Sequence, residues 1–170
     1  MRTAIDQPFG LTLGATGKIY VPNTRDGDSV TVYRAGARGD SAPIKTISGS
    51  NTGLNGPQQI ALDTHGRIYV VNGRGGSGRP FSVTVYATLA NGNVAPIRTI
   101  AGSKTRMYSP AGVAVDGSGH IYIANSSDPL FGHGHTVTVY AAFANGNVAP
   151  INTISGPNTG LNEPEGIAIR

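Results

Sequence analysis

Apolar and polar residues alternate in short runs along the whole chain, and the runs recur in a fixed order. Residues 29–33, 82–86 and 136–140 read Ser-Val-Thr-Val-Tyr, Ser-Val-Thr-Val-Tyr and Thr-Val-Thr-Val-Tyr. β-Branched residues at every second position mark a strand with one face toward a core. Ahead of each pentad stands Ile19-Tyr-Val21, Ile68-Tyr-Val70 or Ile121-Tyr-Ile123, closed by Asn23, Asn72 or Asn125. A small apolar run after a proline comes earlier still: Gly10-Leu-Thr-Leu13, Gln59-Ile-Ala-Leu-Asp63 and Gly112-Val-Ala-Val-Asp116. Its pattern returns once more as Gly166-Ile-Ala-Ile169. The fourth run is Ala-Pro-Ile-x-Thr-Ile, at 42–47, 95–100 and 149–154. No window carries a helical period, so the pattern predicts an all-β chain with essentially no α-helix.

The pentads start at Ser29, Ser82 and Thr136, a repeat of about 53 residues. Residues 90–100 and 144–154 are identical except for Arg98 and Asn152. Self-similarity at this period marks a supersecondary unit whose copies bury their apolar faces on one another. Gly17, Gly66 and Gly119 supply the turn between the first and second strands. Asn91-Gly92 and Asn145-Gly146 lie between apolar runs and predict type I′ hairpin turns, which need positive φ at both central residues. Four short antiparallel strands per repeat are the pattern of a β-propeller blade.

The order of a proline, then Ile-Ala-Leu-Asp, a turn glycine, Ile-Tyr-Val-x-Asn and Val-x-Val-Tyr resembles the repeats of the NHL-type β-propeller family. The likeness runs from about Gln7 to Ile169. It implies blades at about 7–49, 57–102 and 110–156, with an extra inner strand at about 165–169. The first strand of each blade would lie nearest the axis, with Ile60, Ala61, Leu62, Val113, Ala114 and Val115 along the inner wall. Six-bladed relatives include peptidyl-amidating lyases and gluconolactonases, and some animal members bind nucleic acid. Three blades do not close a propeller, which usually takes four to eight. Two copies supply six, so a homodimeric ring is expected. The runs at 10–13 and 166–169 then compete for one slot, unless one is displaced or exchanged between subunits. The alternative is that the chain is part of a longer propeller.

Composition adds little chemistry. The 170 residues include 25 glycines and 11 prolines, as many short strands and turns require, and only 13% are charged. The absence of cysteine excludes disulfides and thiolate metal sites and leaves the compartment open, extracellular or cytoplasmic. No run approaches a membrane span, and no apolar leader opens the chain. A net charge of +4 permits anionic partners, nucleic acid included, but the basic residues are scattered rather than clustered.

Function, if local, is expected where the repeats disagree. The glycine-rich stretch after Asn72 carries Arg74 and Arg79, which offer backbone amides and guanidinium forks to an anion. Lys104, Arg106 and Tyr108 sit together between blades, where a tyrosine ring can stack on a sugar or base. These five are the candidate ligand residues, and a glycan or a protein is the expected partner. His133 and His135 are two apart, so on an extended segment both rings face one side and can share Zn²⁺ or Cu²⁺. Two ligands do not make a site, and no other cofactor is implied. The recurring tyrosines are expected to pack between blades, and Asp63 and Asp116 to cap turns. No Ser/His/Asp order or acid pair suggests catalysis. A non-enzymatic binding scaffold is therefore expected, ahead of a lyase or lactonase with a metal near the central channel.

Overall fold

The computed structural model describes residues 5–24, 27–74, 80–128 and 133–169. Twelve strands form three four-stranded antiparallel sheets. Sheet 1 runs β1 (Thr12–Leu13), β2 (Ile19–Asn23), β3 (Ser29–Tyr33) and β4 (Lys45–Ser48), each paired with the next. Sheet 2 repeats the order with β5 (Pro57–Leu62), β6 (Ile68–Asn72), β7 (Ser82–Tyr86) and β8 (Arg98–Ala101). Sheet 3 comprises β9 (Pro110–Val115), β10 (Ile121–Asp128), β11 (His133–Tyr140) and β12 (Asn152–Ile154). Only two short 3-10 turns interrupt the strands, and no α-helix occurs among the described residues. No described helix is long and apolar enough to cross a membrane.

Alternation within the strands decides what lies between the sheets. Val30, Val32 and Ile47 of sheet 1 meet Ile68, Val70 and Tyr86 of sheet 2, with Leu54 from the connection closing the cluster. Val83, Val85 and Ile100 of sheet 2 meet Ile121, Ile123 and Tyr140 of sheet 3, closed in the same way by Met107. Both faces of sheet 2 are thus covered, and every residue of β6 and β7 is buried. Each aliphatic side chain so buried contributes roughly 1.5–3 kcal/mol. At the far side of sheet 3 the pattern stops: Ile154 is 47% exposed, where its repeat counterparts Ile47 and Ile100 are both 0%.

Three expectations change. The inner strand expected over 10–13 shrinks to Thr12–Leu13, with Leu11 and Leu13 each 62% exposed. The fourth inner strand expected at 165–169 pairs with no strand; it runs beside β9 without a ladder. The turn after β7 is made by residues 87–90, where the Ala90 amide donates to the Ala87 carbonyl at 3.0 Å, and not by Asn91-Gly92. The Asn-Gly pair is held by a neighbouring sheet instead.

Candidate functional site

The richest polar geometry lies at the seams between sheets. Gly92 takes a left-handed φ of 76° that lets its amide donate to the Thr46 carbonyl at 2.7 Å, while its carbonyl accepts from the Ser48 amide at 3.2 Å. On either side, Asn91 Oδ1 accepts from the Thr46 amide at 2.9 Å and Asn93 Oδ1 from the Asn51 amide at 2.8 Å. The tripeptide of one sheet therefore clamps the outer strand of the sheet before it. The second seam is a copy: Gly146 bonds Thr99 and Ala101, Asn145 accepts from Thr99, and Asn147 accepts from Lys104. Each clamp needs a glycine beneath it, because a Cβ on Gly49 or Gly102 would lie 2.6 Å from the side chain of Asn93 or Asn147. Deeper in, the Tyr86 and Tyr140 hydroxyls donate to the Thr52 and Thr105 carbonyls. Burial pushes both phenols up to about 12, with Thr84 and Thr138 pulling the other way.

Within the sheets, Asn23, Asn72 and Asn125 are hubs. The buried Asn72 amide group donates to Ser82 Oγ and Thr84 Oγ1, both at 3.1 Å, and its carbonyl oxygen accepts from the Asn55 amide. Asn125 and Asn23 repeat this, accepting from the Tyr108 and Asp6 amides. The expected turn-capping role of Asp63 is what the structure shows. Its Oδ1 accepts from the His65 and Arg67 amides at 2.9 Å, and its Oδ2 meets Arg67 Nε and the Tyr69 hydroxyl. Burial opposes its ionisation, but the Arg67 guanidinium and the two amides outweigh it and hold the carboxyl below its ordinary range. Asp116 caps the equivalent turn with His120 and Tyr122.

The structure separates Arg74 from Arg106, two of the candidate ligand residues. Arg74 is a seam residue: its guanidinium donates to the Thr24 carbonyl of the preceding sheet at 3.1 Å and stands 3.9 Å from Asp28 Oδ2. Contact between neighbouring units therefore engages Arg74. Arg79 lies outside the described residues. The Lys104 amide serves the second seam, and Tyr108 leads into β9 with its amide on Asn125. Arg106, at a left-handed φ of 56°, lines a cleft of about 520 Å³ with His135, Thr136, Thr138, Thr153 and Ser155. Arg74 lines a different cleft, of about 470 Å³.

His135 departs from the extended backbone expected for the histidine pair. His135 adopts φ 52°, which breaks the extended geometry, and its Nδ1 accepts from the Glu163 amide at 2.6 Å. That bond assigns the ring proton to Nε2. His133 belongs to β11, and its side chain lies outside the described residues. No group of three metal-ligating side chains occurs among the described residues.

Several residues that matter here escaped the sequence reading. Phe143 is 61% exposed yet its ring meets two cations, with the Arg67 and Arg98 guanidinium carbons 5.0 and 5.2 Å from its centre. Gln59 Oε1 reaches across from β5 to accept from the Val113 amide of β9 at 2.7 Å. The Asn-Gly-Asn clamps were visible as an exact repeat, but their partners lie 42 to 46 residues away. Spacing along the chain carries no sign of such a contact.

No protein-family model matches the chain, and no curated protein matches it. Among solved structures, a protein from Lactobacillus plantarum superposes with a TM-score of 0.60 over 92% of this chain, at 16% identity. This chain covers 44% of that one, so it spans less than half the neighbour's length. The likeness extends to the fold alone.

Proposed function

We propose that the chain is a non-enzymatic β-propeller module of NHL type, in which the three sheets are blades and two copies close a six-bladed ring that serves as a binding scaffold. One observation carries this reading. Gly49, Gly102 and Gly156 share an unusual backbone, with φ of 116°, 118° and 103°. The first two lie beneath the asparagine of the following blade, whereas nothing comes within 4 Å of a Cβ placed on Gly156. The repeat counterpart of Asn93 and Asn147 in the first blade is Asp40, also a carbonyl-type acceptor. In a ring, the partner's Asp40 covers Gly156 and accepts from the Asn158 amide, as Asn93 does from Asn51. Arg38 replaces Asn91 and cannot accept a bond from the Thr153 amide; there Asn152 Oδ1 already does so, at 2.8 Å. This accounts for the single difference between the otherwise identical 90–100 and 144–154 segments.

The axial wall supports a scaffold rather than a lyase or lactonase. Its cleft of about 260 Å³ combines strand backbone, Thr12 and Gln59 with aliphatic side chains such as Ile60, Val113 and Ile167, and among the described residues no carboxylate or imidazole lines it. Mass in solution tests the ring: about 35 kDa is expected, twice 17.4 kDa. A stable monomer at micromolar concentration overturns it.

The Arg106 cleft favours a second reading, an alternative to ring closure because Gly156, Leu161 and Asn162 also line it, in which the unclosed chain takes an anionic glycan. The Arg106 guanidinium, the His135 Nε2–H and the Thr153 and Ser155 hydroxyls line it, while the Thr136 and Thr138 hydroxyls accept from the Asn125 amide group. Binding to a sulfated oligosaccharide should weaken as salt rises and fall in Arg106→Ser. Salt-independent binding, or none, removes this reading.

A further inference from the structure

Residues 165–169 lie in the chain as though they already belonged to a following sheet. The Glu165 carbonyl sits 3.0 Å from a Cβ built on Gly112, and the Gln58 carbonyl stands in the same relation, at 3.3 Å, to Gly10. Gln58 is the second residue of the inner strand of sheet 2, which follows the sheet of Gly10. Glu165 is its repeat counterpart beside sheet 3. Yet β5 has β6 to pair with, and residues 166–169 have nothing. Sheet 1 shows the opposite fault. Its inner strand is two residues long against six in β5 and β9, and Phe9, Leu11 and Leu13 are 71%, 62% and 62% exposed.

A buried polar atom points the same way. The Tyr33 hydroxyl is buried without a hydrogen-bond partner, although its counterparts on Tyr86 and Tyr140 donate to the Thr52 and Thr105 carbonyls. An orphaned buried hydroxyl is costly, so a partner that satisfies it is favoured. The repeat counterpart of Thr52 and Thr105 for a following sheet is Thr159, whose hydroxyl already bonds Gly156 as theirs bond Gly49 and Gly102. Leu161 corresponds to Leu54 and Met107, which close the two internal cores.

We propose that the ring is sealed by strand exchange: residues 157–169 of each copy enter sheet 1 of the other, displacing residues 5–13. The inference rests on the homodimeric ring and specifies its closure. The known registers fix the pairing. Ala61 faces Tyr69 and Leu62 faces Ile68, so Ala168 meets the partner's Tyr20 and Ile169 the partner's Ile19. Ile60 faces Val70, so Ile167 meets the partner's Val21. The partner's Tyr33 then donates to the Thr159 carbonyl, and the partner's Asn23 accepts from the Asn162 amide in place of Asp6. Exchange resolves the competition of two inner strands for one slot, because the better one, Gly-Ile-Ala-Ile, takes it.

The chain has no cysteine, so introduced pairs report cleanly. Ile167→Cys and Val21→Cys, made on separate chains, are mixed under mild oxidation. Exchange predicts a covalent heterodimer between them, and directly opposed cross-strand positions are close enough for a disulfide. Leu11→Cys with Val21→Cys in one chain is the reciprocal probe, and exchange predicts little intrachain bond. Amide hydrogen exchange on the unmodified protein checks the same point without substitution: slow amides at 166–169 and fast ones at 10–13. A 35 kDa dimer that links Leu11 to Val21 within one chain, with fast exchange at 166–169, overturns the exchange and leaves the ring intact. A 17.4 kDa species overturns both.

Discussion

The Tyr86 hydroxyl donates to the Thr52 carbonyl at 2.7 Å, across 34 residues of chain and from sheet 2 to the connection that leads out of sheet 1. Tyr86 is fully buried, so this bond, repeated by Tyr140 and Thr105, pins each seam at depth. Removing the hydroxyl leaves a buried carbonyl without its donor. Tyr86→Phe and Tyr140→Phe are therefore expected to cost about 1 kcal/mol each. Thermal unfolding should report a loss of about 2–4 °C per substitution. An unchanged midpoint would mean that water replaces the phenol.

Assembly should depend on Asp40. If it seats over the partner's Gly156, two symmetric seams each lose a hydrogen bond in Asp40→Ala. At about 1 kcal/mol per seam, the dimer dissociation constant should rise about 30-fold. Asp40→Asn restores the acceptor found at Asn93 and Asn147 and should dimerise like the parent. Sedimentation across a dilution series distinguishes the two. Equal weakening by both substitutions would place the interaction elsewhere.

Alkaline pH should loosen the seams before the rest of the molecule. Tyr86 and Tyr140 have phenols raised to about 12, against an ordinary value of 10.0. An acid whose folded value is raised stabilises the fold fully below its unfolded value, and that contribution is lost as pH rises through the folded one. Stability should hold to about pH 10 and fall from there to about 12. Phenolate absorbance should follow the same curve, and the double Phe variant should flatten it. Bulk phenolate formation near pH 10 by these two residues, with the fold intact, would contradict the seam geometry.

The repeats and strand order were legible because β-branched alternation and its period are local properties of the sequence. The second, third and fourth strands of each sheet fall where the Ile-Tyr-Val, Val-Thr-Val-Tyr and Thr-Ile runs place them. Asn91-Gly92 was misread because its glycine does adopt positive φ, as a type I′ turn also requires, but for a contact with Thr46 rather than for a turn. A conformational requirement names the backbone shape and not its purpose. Residues 166–169 match the inner-strand pattern and still form no ladder, since a strand needs a partner that composition cannot show. The candidate site was the least legible part. Arg74 and Arg106 were both read as ligand residues because they break the repeat, whereas the fold sends Arg74 into a seam and Arg106 to a separate cleft.

That separation gives Arg74 and Arg106 opposite phenotypes. Arg74 donates to the Thr24 carbonyl and lies near Asp28, whose other carboxylate oxygen is buried without a partner. Its side chain is 61% exposed, so the ion pair itself contributes little, and Arg74→Ser should cost about 1 kcal/mol or less through the lost carbonyl bond. Anion binding should be unaffected. Arg106 is exposed, and among the described residues no hydrogen bond from its side chain ties it to another sheet, so Arg106→Ser should leave the melting temperature unchanged within about 1 °C while weakening a sulfated glycan. A melting scan and a binding isotherm on each variant suffice to compare them. If Arg74→Ser loses binding and Arg106→Ser loses stability, the assignment of the two clefts is inverted.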